Sequence, residues 1–359
     1  MTLIDFEPTI SPSDGFGVRR RHLPRRTRWA IGGAATFVAA AVALVTGPNW
    51  FLAALAGLVT FALATYVASR AVEGPRRALD RLVGVVVTAT FVAIVLPLVS
   101  VIWTVVERGS NRFDVEFFTE TMRSVVGEGG GGQHAIIGTL IITGLATLIS
   151  VPIGIFVAVY LVEYAGSSPR LARSVTMMVD VMTGIPSIVA GLFSYALFVI
   201  FWGQGTRSGI AGAVALSVLM IPVVVRASEE MLRLVPNELR EASAALGVPK
   251  WRTIVKVVLP TAIAGLLTGV TLAIARVIGE TAPLLITAGL AQDTNWNPFD
   301  GRMTTLPVMA YYGYAAPGFP PEPGYDRGWT AALVLVLIVV TLFVIARILT
   351  KVFQPKGLR

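Results

Sequence analysis

Arg276 and Glu280 are the only charged residues in the apolar run 257–287, and they stand four residues apart. Four residues is one helical turn, so the spacing predicts a guanidinium and a carboxylate on one face. Counted from Pro260 at about 1.5 Å per residue, Arg276 lies about 24 Å along such a helix, deep in a hydrocarbon layer about 30 Å thick. A cation held there can recognise an anion, and a neighbouring carboxylate can share it when no anion is present. Two readings stay open: a substrate path, or a self-satisfied ion pair that holds a bundle together. The cost of charge at that depth favours the path.

A second place where chemistry is possible is the run Thr183-Gly184-Ile185-Pro186-Ser187, inside the apolar stretch 174–202. Pro186 lacks an amide donor and crowds the preceding turn, and Gly184 weakens it, so the helix is predicted to break. A half-helix beginning at Ser187 would turn free N–H groups toward the middle of the membrane, a position suited to an anion. A proline kink used only for packing is the alternative. Asp180 falls nearer a span end and reads as interfacial.

The third place is polar. Residues 235–260 form a charged island between two apolar segments, with Asn237 expected as a helix N-cap, Glu238 in the first turn and Gly247 just past the end. Leu239, Ala242, Ala245 and Leu246 should share one face of that short helix, with Glu241 beside a surface of small residues that admits close approach by another protein. Pro249 suits the first position of a following helix.

The elements that must position these groups follow from composition. The chain is 55% hydrophobic and only 14% charged, with a mean hydropathy of +0.74, which excludes a soluble globular domain. Eight apolar runs are predicted to span: 30–45, 51–68, 82–106, 135–162, 174–202, 210–225, 257–287 and 329–346, the sixth being the shortest. Between them lie a basic tail at 1–28, an acidic loop at 107–133 ending in a flexible Gly129–Gly132 tract, the loop 226–256 and a C-terminal tail at 347–359. An even number of spans places both termini on one side. Of the 29 Lys and Arg, 22 fall in the tail, 69–81, 163–173, 226–256 and the C-terminus, so these segments are expected to be cytoplasmic. The net charge of +8 therefore answers to membrane topology, and no nucleic-acid partner is implied. With no cysteine, neither a disulfide framework nor a thiolate metal site is available.

Glu241-Ala242-Ser243, Gly247 and Val257-Val258-Leu259-Pro260 resemble the EAA signature of ABC importer permeases, with Ser243 replacing the third Ala and Val257 replacing Ile. The runs Gly184 to Phe193, Arg276-Val277-Ile278-Gly279-Glu280-Thr281-Ala282-Pro283, and Asn297-Pro298-Phe299 through Thr305-Leu306-Pro307 are similar to the A-type permeases of phosphate-specific (Pst) importers. The resemblance implies an all-α polytopic bundle with a type-1 permease core over 133–346, to which 29–69 adds two N-terminal spans. It further implies that Glu241, Ala242 and Gly247 couple the chain to an ATPase, while Arg276, Glu280, Pro186 and Ser187 lie on the path of phosphate. The implied partners are a sister C-type permease in a heterodimer, two copies of the Pst ATPase and an extracytoplasmic phosphate-binding protein, in a bacterial plasma membrane.

No enzyme is read from the chain itself. It has no G-x-x-x-x-G-K-[ST] phosphate loop, so ATP and Mg are expected on a partner and no cofactor on this chain. His22 and His134 are its only histidines and it has no G-x-S-x-G elbow. A permease for sulfate or molybdate, or a secondary anion carrier or channel, remains an alternative at this point. The Glu241–Pro260 signature is what a carrier would have no reason to possess.

Overall fold

The computed structural model describes residues 24–47 and 50–353, and among them every regular element is helical. The tail before residue 24, with Arg19, Arg20 and Arg21, and the C-terminus beyond residue 353 lie outside the described residues. The chain divides into two compact units between Val101 and Ile102. In the first, α1 (Arg25–Thr46) packs on α2 (Trp50–Glu73), Gly57 facing Ala39 closely. There α3 (Pro75–Gly109) begins, and Arg81 pairs with Glu73 at 2.7 Å.

The second unit is built on α5 (Gln133–Val159) and α8 (Gly209–Arg233), after the short α4 (Val115–Thr119). Small residues let these two backbones approach: a Cβ on Gly154 would meet Val224 at 2.6 Å. Gly212 faces Ile142, the Ser217 hydroxyl donates to the Ala146 carbonyl at 3.5 Å, and Gly154 faces Val224. Both sequences rise together along this contact, so α5 and α8 are parallel. The chain must therefore return between them once, and α6 (Pro169–Thr183) with α7 (Ser187–Trp202) makes that return as a single traverse bent by 106°.

After α8 come the surface helix α9 (Asn237–Ala245) and the one-turn α10 (Lys250–Thr253). A wide π turn at Ile254–Val258 then leads into α11 (Leu259–Val277), antiparallel to α8. The short α12 (Ala282–Thr287), α13 (Leu306–Ala315) and α14 (Glu322–Phe353) complete the unit. Its core joins Ile142, Ala146, Leu216, Met220, Ala273, Val277 and Leu284.

Among the described residues six helices are long and apolar enough to cross a membrane singly, and the bent α6–α7 pair is a seventh crossing. Eight spans were expected; the apolar part of α1, Trp29–Val45, is shorter than the rest. Two other boundaries move. The sixth span runs on to Arg233, so Arg226 is helical rather than part of the loop, and the run 257–287 is not one helix but ends at Val277. Pro283 is the reason: its ring would crowd the carbonyl four residues back, at Gly279, where the chain is already weakened.

The Gly129–Gly132 tract is not the flexible linker expected from composition. Gly130, Gly131 and Gly132 are buried, and a Cβ on Gly131 would meet the carbonyls of Glu116, Phe117 and Glu120, in and just past α4, at 2.6–2.7 Å. Glycine is needed here for close packing rather than for mobility.

Candidate functional site

Glycines set the register of α11 on α8. Gly265 faces Met231 and Gly269 faces Ala227, so each step up α11 is an equal step down α8. Continuing that register places Arg276 opposite Met220, near the middle of the 25-residue α8. On the other flank the Ser194 hydroxyl of α7 donates to the Ala211 carbonyl at 2.7 Å. Counting back along α7 sets Ser187 opposite about Val218. Gly191 meets Pro283 at the start of α12, which brings the Gly279–Glu280 turn to the same height as Pro186 and Ser187. Two interrupted helices thus break at one level, half-way along the bundle, where Arg276 also stands.

The residues arrive there differently from the sequence expectation. The helix ends between Arg276 and Glu280, so they do not share a helical face. Glu280 sits in the turn, its amide donating to the Val277 carbonyl at 3.1 Å. Neither side chain has an ion-pair partner among the described residues, so the intrahelical pair is not formed. Arg276 is exposed, in line with exposed Thr268 and Leu272 on one stripe of α11; Pro186 is exposed and Ser187 half-buried.

One ion-pair network escaped the sequence reading. Asp180, expected at an interface, pairs with Arg226 of α8; Arg226 also holds Glu229 at 2.8 Å, and Glu229 holds Arg233 at 2.6 Å. Glu229 is buried. A buried carboxylate between two guanidiniums satisfies the demand that no charge be left alone in low dielectric. The available signal is the spacing of Arg226, Glu229 and Arg233 at three and four residues, which has meaning only if that stretch is helical.

At the opposite end from Thr287 and Ser208, α9 is clamped from below. Arg240 donates to Glu163 at 2.9 Å and to the carbonyls of Val235 at 2.6 Å and Leu232 at 3.0 Å. Glu163 lies in the π turn Tyr160–Tyr164 that closes α5, and Lys250 donates to its carbonyl while lying 5.0 Å above the Tyr164 ring. Asn237 does not cap the helix as expected: its side-chain oxygen takes an Arg240 N–H at 3.3 Å, and Pro236 occupies the cap. Pro249 likewise precedes α10 instead of opening it. Gly247 behaves as the sequence predicts. At φ +73° it is left-handed, its amide reaches the Ala244 carbonyl at 2.9 Å, and the Val248 amide reaches Ser243 at 3.2 Å. That pair of bonds is a Schellman cap. Ser243, the departure from the signature, is buried and shares a 2.7 Å hydrogen bond with Thr253, tying α9 to α10. Glu241, Ala242, Ala245 and Leu246 are left exposed on the outer surface.

The motif at 297–307 shapes the opposite end. The Ile210 amide donates to the Pro298 carbonyl at 2.7 Å, and the Leu306 amide donates to the buried Thr139 hydroxyl at 2.8 Å. These bonds fasten the start of α8 and of α13 around α12.

A family model described as "Binding-protein-dependent transport system inner membrane component" matches residues 150–358, a span that holds both breaks, Arg276 and all of α9. The chain belongs to that family. Among similar inner membrane components, the phosphate transport system permease protein PstA 1 of Mycobacterium tuberculosis (strain ATCC 25618 / H37Rv) is 46% identical over 256 residues, covering 70% of this chain and 81% of that one. The phosphate transport system permease protein PstA of Pasteurella multocida (strain Pm70) is 42% identical over 265 residues, covering 73% and 91%. A chain of the MetNI methionine ABC transporter in an inward-facing conformation is 21% identical at a TM-score of 0.49, covering 62% of this chain and 94% of that one. Family membership and the apolar helices together make this chain an all-α, multi-pass inner membrane component.

Proposed function

We propose that this chain is the permease subunit of an ATP-driven inorganic phosphate importer and lines the anion's path at Arg276. The observation that carries the reading is Arg276 itself: an exposed guanidinium, unpaired among the described residues, level with two helix breaks, half-way along the bundle. Placing an arginine in hydrocarbon costs at least about 2.5–3.5 kcal/mol. The stripe of Thr268, Leu272 and Arg276 is therefore turned to water and a second subunit rather than to lipid, which supports a heterodimer with a sister C-type permease.

Phosphate as the anion is supported by the names of the relatives, and a guanidinium presents paired donors that fit its oxygens. Ser187, first in α7, offers a half-helix N-terminus at the same height, and Glu280 stands in the turn after α11 without pairing with the arginine. Coupling falls to Glu241, Ala242 and Gly247 on the exposed side of α9, which would dock on one of two copies of an ATPase. ATP and Mg would be bound there and not on this chain. An extracytoplasmic phosphate-binding protein would deliver the anion to the opposite end. The distribution of Lys and Arg puts α9 and both termini in the cytoplasm.

The test is competition for labelled-phosphate uptake in cells that depend on this chain. Unlabelled phosphate should abolish uptake, and a hundredfold excess of sulfate or molybdate should leave it unchanged. Equal competition by sulfate would assign the path to another oxyanion.

A further inference from the structure

Away from the mid-span level and from α9, a cavity of about 330 Å³ lies between the start of α5, the crossing of α13 on α14, and the segment 290–304. Its lining includes His134, Gln292, Thr304, Tyr312 and Arg327. Glycines make the room and fix the walls: Gly313 and Gly328 cross so closely that a Cβ on Gly313 would meet the Gly328 Cα at 2.7 Å.

Arg327 is only 7% exposed, yet no carboxylate pairs with it among the described residues. One terminal nitrogen of its guanidinium donates to the carbonyls of Gly127 at 2.8 Å and Gly129 at 2.9 Å. The remaining N–H groups have no protein acceptor among the described residues and, unlike the Nδ1 of His134, keep some accessible surface in a residue that lines the cavity. His134 is 4% exposed, and its Nδ1 has no hydrogen-bond partner. The one acidic group near His134, Asp293, is already matched by Arg123 at 3.1 Å. Arg327 is the sixth residue of α14, whose 32 residues reach about 48 Å. That exceeds the hydrocarbon thickness of about 30 Å, so this first turn and a half stands at the aqueous boundary.

A buried guanidinium with free donors, which neighbouring Asp326 does not engage in an ion pair and beside which Arg112 adds positive charge, makes a cradle for a small negative ligand. We propose that this cavity is a second anion site, built to hold a small tetrahedral oxyanion on Arg327, with His134 in its wall, at the end of the bundle opposite α9. Its occupancy does not depend on Arg276 or on transport, so it stands apart from the function proposed above.

The experiment measures binding of labelled inorganic phosphate to the purified full-length chain in lipid nanodiscs, without ATP, in an Arg276→Gln background that removes the mid-span cation. Saturable binding of one phosphate per chain is expected, with sulfate competing. Arg327→Gln should weaken binding at least tenfold. Because Arg327→Gln also loses the loop carbonyls, two further variants separate ligand from fold. Arg327→Lys keeps the charge and should bind within a few-fold of its parent. Ala291→Leu leaves Arg327 untouched but fills the cavity, and should lose binding. Absence of saturable binding in the Arg276→Gln parent, or unchanged affinity in both Arg327→Gln and Ala291→Leu, would overturn the site.

Discussion

Arg276 has the clearest consequence of any single residue. Among the described residues it is the one cation left exposed and unpaired at mid-height, whereas Arg226 is spent on Asp180 and Glu229. Arg276→Gln should reduce labelled-phosphate uptake to background, with surface expression unchanged. Arg276→Lys should keep a fraction, because it retains charge but loses the planar fork. Glu280→Gln should be milder than either, since a turn separates it from the helix that carries Arg276. Ser243 behaves in the opposite way, as a purely structural group. Ser243→Ala removes one hydrogen bond and strands the buried Thr253 hydroxyl, a loss of about 1–3 kcal/mol that thermal unfolding of the purified chain would register. Restoration of the motif's alanine thus should not improve this protein. Residue identities of this kind were legible in the sequence: a charge in an apolar run, a proline in a helix and a glycine after one are local signals. The partners were not, because Asp180 and Arg226 come together from different helices and Arg240 finds Glu163 across 77 positions.

Helices are positioned by their ends, and here most of the work is done where they stop. Gly247 stops α9, with open space where a side chain would go. The cost of Gly247→Val is therefore confined to the backbone, about 1–3 kcal/mol for a β-branched residue held at positive φ. The chain should still insert and assemble, while the Schellman bonds to Ser243 and Ala244 distort and the surface of α9 tilts. ATP hydrolysis by the assembled complex should lose its stimulation by substrate and binding protein, and retention of full stimulation would detach α9 from coupling. The break before Ser187 was readable from Pro186, but its angle of 106° was not, since proline specifies an interruption and the packing on α8 and α12 specifies the bend. The end of α11 was missed for the converse reason. Apolar composition continues unbroken from 257 to 287, and only Pro283 acting on Gly279 reveals that the helix stops at Val277.

At the scale of the molecule, parallel α5 and α8 force one return through the bent α6–α7, and that return brings a half-helix start to the height of Arg276. The same bundle carries α9 at the end opposite to the buried glycine loop, so the level of Arg276 and the surface proposed for ATPase docking are connected through α8 and α11. Composition foretold the class of fold and most of the crossings, because burial in lipid demands long apolar helices. It could not foretell that the glycine tract is a packed wall, since glycine permits both mobility and close approach. The central claim is that the path is opened by an ATPase acting on α9 and not by the anion gradient. The direct measurement is labelled-phosphate uptake into vesicles holding this chain and its sister permease, with and without the ATPase subunits, given binding protein outside and ATP inside. Uptake is predicted only with the ATPase and ATP, and should vanish when Arg276→Gln replaces the parent chain. Accumulation driven by a phosphate gradient alone, at the same rate without the ATPase, would contradict the account.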